Sequence, residues 1–245
     1  MISFFKTKPV LADLIPDNHV DIHSHLIPGV DDGAKNIEET LSLLQKMANI
    51  GFKNSITTPH IITNIWNNTE ADIVKRHQEI LPVVQAQTGI NQFNVGIEYM
   101  LDDHFLKRLA GEKLLTLKDN YILVEMSYLN PPIQLFEIIF EIHLAGYKPI
   151  LAHPERYLFY HRNTKELDKL KNTGCLFQLN LLATVDYYGT TITKMADKLL
   201  HSDYYDFVGS DIHHQNHVNA FDRKVQVKNT AALEKVIQKN LFFLE

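Results

Sequence analysis

The stretch Val20-Asp21-Ile22-His23-Ser24-His25-Leu26-Ile27-Pro28-Gly29-Val30-Asp31-Asp32-Gly33 decides how the rest of the chain is read. It opens as an apolar strand and breaks into a turn built on Pro28 and Gly29. His23 and His25 are two residues apart, and on an extended strand such positions share a face. Two imidazoles aimed at one point can hold a metal ion, yet an isolated H-x-H pair fits ordinary surface or core histidines equally well. The choice rests on what the other strands present.

Outward from this stretch, apolar strands alternate with helical runs. Asn36, with Glu39 three residues on, fits an N-terminal capping box, and Ile37, Leu41, Leu44 and Ala48 recur at helical spacing before Gly51. Strands are predicted at 20–23, 55–58, 93–97, 121–124, 149–152, 175–179 and 206–210. The intervening helices are predicted over 70–87, 103–110, 132–145, 164–172, 192–201 and 230–240, with Pro82 a potential kink and Pro131 and Pro132 suited to a first turn. Seven short strands separated by helices imply a parallel α/β sheet. No linker or low-complexity segment divides the chain. The expected organisation is an irregular leader over 1–19 and a single domain over 20–245.

Composition bounds the function. The 245 residues are 45% hydrophobic and 22% charged, ordinary values for a soluble domain. A net charge of -5 gives no general affinity for nucleic acid or anionic membrane. The single cysteine, Cys175, forms no intrachain disulfide. The apolar start of the chain is broken by Lys6, Lys8 and Pro9, unlike a secretory signal, and no later run is long enough to span a bilayer. These features predict a cytoplasmic protein without direct membrane insertion.

Six of the seven strands end in, or lead directly to, a good metal ligand: His23 and His25, His60, Glu98, Glu125, His153, and Asp211 with His213. In a closed α/β barrel all C-terminal strand ends meet at one face, where active sites sit. In an open doubly wound sheet the outer ends would be too far apart to share a site, so this pattern favours the barrel. Taken singly, each acid fits a helix cap and each histidine a satisfied core position; their recurrence strand after strand argues otherwise. Imidazole mixed with carboxylate and no thiolate suits Mn, Fe or Zn in a catalytic site. The ligands are too many for one ion, and a cluster of two or three divalent ions accommodates them. Manganese is the expected metal, with iron and zinc as alternatives. Spacing does not choose between Asp31 and Asp32 as a further ligand. The remaining histidines default to surface, cap or core roles, although His214 and His217 lie near the last motif. Cys175 sits in an apolar run without a phosphate-cradling loop or a nearby downstream arginine, which argues against a cysteine phosphatase. Asn180 at a strand end and the Tyr187-Tyr188-Gly189 loop are candidates to line or shape the pocket.

The segments DIHSHLIPGVDDGAK (21–35), TTPH (57–60), GIEY (96–99), LVEM (123–126), LAHPERY (151–157) and GSDIHH (209–214) together resemble the polymerase-and-histidinol-phosphatase (PHP) superfamily. Within it the chain is similar to the bacterial tyrosine-protein phosphatases of capsule and exopolysaccharide synthesis, the CpsB/YwqE group. The resemblance runs from about Asp21 to the C-terminus. It implies a distorted seven-stranded (β/α)7 barrel and a trinuclear site. His23, His25, Glu98 and Asp211 would hold one ion. Glu98 would bridge to a second, completed by Glu125 and His153. Asp32, His60 and His213 would hold the third, leaving Asp31 to cap the turn.

Phosphoryl transfer also needs a cation for the phosphate oxygens. Arg156 follows a ligand by three residues and offers a bidentate guanidinium, against the plainer reading of a salt bridge to Glu155 or a helix-side acid. The group carries a second arginine shortly after the last D-x-H. Gln215-Asn216-His217-Val218-Asn219 has none here, which leaves Arg223, His214 or His217 as substitutes. A tyrosyl leaving group, with a pKa of about 10, departs with little proton assistance. The expected function is hydrolysis of phosphotyrosine on a protein, with a bacterial tyrosine kinase controlling polysaccharide export as the expected partner. The alternatives are a small-molecule phosphatase such as histidinol-phosphatase, a nuclease disfavoured by charge, or a non-catalytic kinase-binding protein. Homo-oligomerisation is left open.

Overall fold

The computed structural model describes residues 7–111 and 113–244. The first six residues of the expected leader lie outside this range. Within the remainder of the leader, Val10 bridges to Lys224 and Ala12–Leu14 forms a 3-10 turn, so it is tied to the C-terminal part of the chain.

The elements run β1 (His19–Asp21), α1 (Ile37–Ile50), β2 (Phe52–Thr57), β3 (His60–Ile61), α2 (Glu70–Gln87), β4 (Gln92–Val95), β5 (Glu98–Met100), α3 (Phe105–Gly111), β6 (Tyr121–Glu125), α4 (Leu135–Leu144), β7 (Lys148–Ala152), α5 (Lys165–Asn172), β8 (Leu176–Asn180), α6 (Thr190–His201), β9 (Phe207–Gly209), α7 (Gln215–Asn219) and α8 (Thr230–Lys239). The fold is α/β with parallel strands throughout its two sheets. Local signals hold well. Asn36 Oδ1 accepts from Glu39 N at 2.9 Å, and Glu39 Oε2 in turn accepts from Lys35 N, one residue before the expected partner. Pro82 lies inside α2, which continues to Gln87. The Pro131-Pro132 pair is not the first turn of α4, which starts only after Gln134. A residue preceding proline disfavours helical backbone, which argues against a helical Pro131.

The strand count differs from the sequence reading. Among the described residues, nine strands form a three-stranded sheet, β1-β2-β4, and a six-stranded sheet, β3-β5-β6-β7-β8-β9, rather than one continuous seven-stranded ladder. Two predicted strands are each split. Pro59 has no N–H to donate, so β2 and β3 are separated at Thr58-Pro59. Opposite it, β4 and β5 separate at Gly96-Ile97, where Gly96 N still donates to Thr57 O and Glu98 N to Pro59 O. The split halves therefore run on from one sheet into the other.

β1 and β9, the outer strands of the two sheets, meet without a regular ladder. A single parallel bridge joins Ser24 and Ile212 beyond their ends. Between the strands a side chain substitutes for the backbone. Asn240 Nδ2 donates to both Val20 O and Val208 O at 2.9 Å, and its Oδ1 accepts from Val208 N at 3.0 Å. Asp21 adds bonds from Ser210 N and Oγ at 2.8 and 2.6 Å.

Two apolar clusters hold these layers. The larger packs the helices against the sheets. The smaller brings together Val20, Ile56, Leu123, Ile150, Phe207 and Phe243 from both sheets and the C-terminus. Two residues beyond Leu123 on the same strand side stands Glu125, so the apolar cluster gives way to acid at the strand's C-terminal end.

Candidate metal centre

All nine candidate ligands converge: His23, His25 and Asp32 follow β1, His60 and Glu98 open β3 and β5 just past the ends of β2 and β4, Glu125 ends β6, and His153, Asp211 and His213 follow β7 and β9. His23, His25 and Asp211 offer ligand atoms within 4.8 Å of one another, as do His23, Glu98 and His153; His60, Glu98 and Glu125; and His25, Asp32, His60 and His213. The fold enforces this convergence. His153 and Asp211 have φ of 37° and 52°, left-handed values that a strand cannot contain. Each ends its strand there, at a typical cost of roughly 1–3 kcal/mol for such backbone. Gly33 allows the turn after His25 to fold back on it, since a Cβ there would stand 2.1 Å from the His25 carbonyl oxygen.

The tautomers show what the centre is built to hold. His23 Nδ1 donates to Gln178 Oε1 at 2.8 Å, and His25 Nδ1 donates to Asp31 Oδ2 at 2.8 Å. A neutral imidazole has one N–H, so each Nε2 is left as a lone pair. His23 Nε2 faces Glu98 Oε2 at 3.1 Å and Asp211 Oδ1 at 3.3 Å; His25 Nε2 faces the same oxygens at 3.3 and 3.5 Å. His23 Nε2, His25 Nε2, His60 Nδ1, Glu98 Oε2 and Glu125 Oε1 are buried without hydrogen-bond partners. Lone pairs facing lone pairs in a buried site call for a shared cation. The donor set fits divalent metal ions.

Protons occupy the same role when no metal is held. Burial disfavours a charged His25, but Asp31, Asp211 and Glu98 outweigh it and hold its pKa well above the ordinary value. Burial likewise opposes His60, and Glu125 with Glu98 raises it to about 9. Burial pushes Asp211 up, yet His23, His213 and Arg156 bring it well below the carboxylate range.

Asp31 and Asp32 divide their work. Asp31 accepts from His25 Nδ1, from Gly33 N at 3.0 Å and from His60 N at 3.1 Å, which uses both its oxygens. Asp32 is 57% exposed and turns Oδ1 toward His213 Nε2 at 3.5 Å and His60 Nε2 at 3.6 Å. His213 Nδ1 donates to Asp211 O at 2.9 Å, so its Nε2 also presents a lone pair.

The centre opens into a cavity of about 800 Å³. Arg156 lines it and donates from Nη1 to Asp211 Oδ2 at 2.8 Å. It does not pair with Glu155, which is buried and accepts from Asn180 N and the Tyr205 hydroxyl. Arg223 is not among the described residues that line the cavity; its guanidinium lies over the Tyr187 ring at 5.3 Å. His214 and His217 line the cavity with their rings 4.0 Å apart. Burial and His214 push His217 down to about 3, so it is neutral; its Nδ1 lies 3.1 Å from His213 N and 3.0 Å from Asp211 O. Burial and His213 also lower His214. Gln178 and Tyr128 were not singled out from sequence, and Asp31 was weighed as a ligand or turn cap rather than as the partner of His25. Gln178 had one usable signal: it is a lone polar residue within an apolar strand.

A parallel α/β frame with clustered imidazoles and carboxylates at its strand ends defines a metal-dependent hydrolase. The chain belongs to the capsular polysaccharide synthesis CpsB/CapC family, whose model matches residues 19–240. It is 28% identical over 201 residues to the putative tyrosine-protein phosphatase CapC of Staphylococcus aureus, covering 79% of this chain and 76% of that protein. It is 29% identical over 202 residues to the tyrosine-protein phosphatase CpsB of Streptococcus pneumoniae, covering 79% and 82%. It also matches a solved structure from work on YwqE of Bacillus subtilis and CpsB of S. pneumoniae, described as unique metal-dependent tyrosine phosphatases. That match has a TM-score of 0.77 and 25% identity and covers 88% of this chain and 86% of that one.

Proposed function

We propose that this chain is a metal-dependent protein-tyrosine phosphatase. The observation that carries the reading is the pair of buried Nε2 atoms on His23 and His25, without hydrogen-bond partners, facing carboxylate oxygens of Glu98 and Asp211. Its relatives are named as tyrosine phosphatases, which supports the same substrate class. The frame is read as one distorted barrel of seven strands, with β2–β3 and β4–β5 each counted as a single interrupted strand and Asn240 spanning the seam.

His23, His25, Glu98 and Asp211 would hold one ion, and Asp32, His60 and His213 another. Glu98, Glu125 and His153 would complete a third position. The groupings seen in the fold are more intermixed than this partition. His25 also belongs with Asp32, His60 also belongs with Glu98 and Glu125, and His153 groups with His23 rather than Glu125. Two or three divalent ions, manganese foremost and iron or zinc otherwise, would supply an activated water and neutralise phosphoryl charge.

The protein's own groups do the rest. Arg156 binds phosphoryl oxygens with donors not used by Asp211. Asp31 and Gln178 hold His25 and His23 in their tautomers. Trp66, Met100, Leu101, Tyr128 and Leu129 give the cavity an apolar wall suited to an aryl ring. The phenolate leaves without a dedicated acid. The substrate would be a phosphotyrosine protein, a tyrosine kinase of polysaccharide export being the fitting partner, in the cytoplasm. No helix among the described residues is long and apolar enough to cross a membrane.

The experiment strips the protein of metal and restores Mn, Fe or Zn. Activity is then assayed on phosphotyrosine peptide, phosphoserine peptide, histidinol phosphate and single-stranded DNA. Metal-restored hydrolysis of phosphotyrosine is expected. Chelator-resistant activity, or none on phosphotyrosine, would overturn the reading.

A further inference from the structure

Arg156 is the only lysine or arginine among the described residues lining the cavity. With no second arginine shortly after the last D-x-H, and Arg223 outside the lining, the placing of this one guanidinium matters more. Arg156 follows β7, Tyr128 follows β6 and Tyr188 lies beyond β8, so segments after both flanking strands close on the residue after the central one. The guanidinium carbon is 4.7 Å from the Tyr128 ring centroid and 4.4 Å from that of Tyr188. Both contacts fall within cation–π range, so the guanidinium is held by two rings carried on segments that follow the two flanking strands.

We propose that Tyr188 is a positioning residue that clamps Arg156, against Tyr128, in the orientation that receives a phosphoryl group. The proposal rests on the phosphatase reading above. A guanidinium donates only within its own plane. Nη1 is taken by Asp211 Oδ2, and the other in-plane donors serve an anion in the cavity that Arg156 lines. Tyr188 is itself fixed. Its hydroxyl accepts from Asn180 Nδ2 at 3.1 Å, and the same amide donates to Asp211 Oδ2 at 2.8 Å. Arg156, Asp211, Asn180 and Tyr188 thus form a closed ring of contacts. Left-handed Asp186 and Gly189, at φ of 59° and 92°, bracket the Tyr187-Tyr188 pair. Arginine has large rotamer freedom, and removing it before the ligand arrives strengthens binding without adding a contact to the ligand.

Tyr188 is the better probe of the clamp, because Tyr128 also stacks on the candidate ligand His153 at 5.7 Å. The test compares manganese-loaded wild type, Tyr188→Leu, Tyr188→Phe, Arg156→Ala and the Arg156→Ala/Tyr188→Leu double variant. Calorimetry measures binding of inorganic phosphate, and p-nitrophenyl phosphate gives kcat/KM. Tyr188→Leu should weaken phosphate binding and lower kcat/KM by roughly three- to tenfold, the span of a partly desolvated cation–π contact. Tyr188→Phe keeps the ring and should stay within about twofold of wild type. In the Arg156→Ala background the leucine should add less than about twofold, because the clamped group is gone. A Tyr188→Leu protein that matches wild type, a phenylalanine that fails to rescue, or an undiminished leucine effect without Arg156 each overturns the clamp. If wild type binds phosphate through Arg156 and shows the full binding pattern but hydrolyses nothing, the clamp stands and the phosphatase reading falls. A wild type that binds no phosphate overturns both.

Discussion

His25 donates from Nδ1 to Asp31 Oδ2 at 2.8 Å, and this contact assigns the two adjacent aspartates to different tasks. Asp31 orients a ligand, whereas Asp32 stands exposed with one oxygen toward His60 and His213. Asp32→Ala should therefore remove about one equivalent of metal per chain while leaving the fold within about 0.5 kcal/mol of wild type, as for most exposed positions. Asp31→Ala should weaken metal binding about 10- to 100-fold, the usual effect of losing the partner of a ligating histidine. Metal content by mass spectrometry, with urea unfolding, separates the two. Equal metal loss with equal destabilisation would refute the division.

Metal removal should make stability depend on pH in one direction. In the metal-free fold His60 is raised to about 9 against an ordinary 6.5. The folded state then binds a proton that the unfolded state releases above 6.5. The stabilisation is complete below 6.5 and is lost as the pH rises through 9, by up to about 3 kcal/mol for this group. Chelator-treated protein should unfold at lower urea at pH 9 than at pH 6.5. Metal-loaded protein should not show that slope, because the ion takes the proton's place.

His19 should act in the opposite sense. Its ring is fully buried against the Phe52 edge at 5.2 Å, and both ring nitrogens lack partners. Burial pushes its pKa down to about 3. Below 6.5 the unfolded chain takes a proton that the folded chain refuses, so stability present above 6.5 is lost as the pH falls. Between pH 6.5 and 5 the loss should be about 2 kcal/mol. His19→Phe should abolish that increment, which is read as the difference between the two proteins' urea curves at each pH.

The seam between β1 and β9 can be tested at Asn240. Asn240→Leu leaves Val20 O, Val208 O and Val208 N without their side-chain partners. A loss of roughly 2–4 kcal/mol is expected, since unsatisfied buried groups cost about 1–3 kcal/mol each and some relax toward water. Hydrogen exchange should rise at Val208 ahead of β6 and β7, which lie inside the six-stranded sheet.

Much of this architecture was legible because its signals are local. The cap at Asn36, the terminal Gly51 and the ligands at strand ends depend on a few neighbouring residues. The splitting of β2 from β3 was also written locally, in Pro59, but a proline inside a strand reads as an end rather than as a transfer between sheets. What escaped the reading involves partners far apart in the chain. Gln178 to His23 spans 155 residues and Asn240 to Val20 spans 220. No spacing rule connects such residues. Spacing left Asp31 and Asp32 open and only the family resemblance favoured Asp32; the physical reason lies in the contact of Asp31 with His25 Nδ1, a property of the folded state.

The seam also sets a schedule for assembly. Asp21 and Ser210, which bond across it, are 189 residues apart, and His23 and His25 share their candidate ion with Asp211. Closing so long a loop is slow compared with forming the local βα units. A chain emerging from the ribosome therefore carries its first histidines for most of its synthesis before Asp211 exists to complete their ligand set. Completion of the centre becomes a late event of maturation, and a truncated chain lacking its final quarter, with Asp211 and His213, cannot assemble it in full.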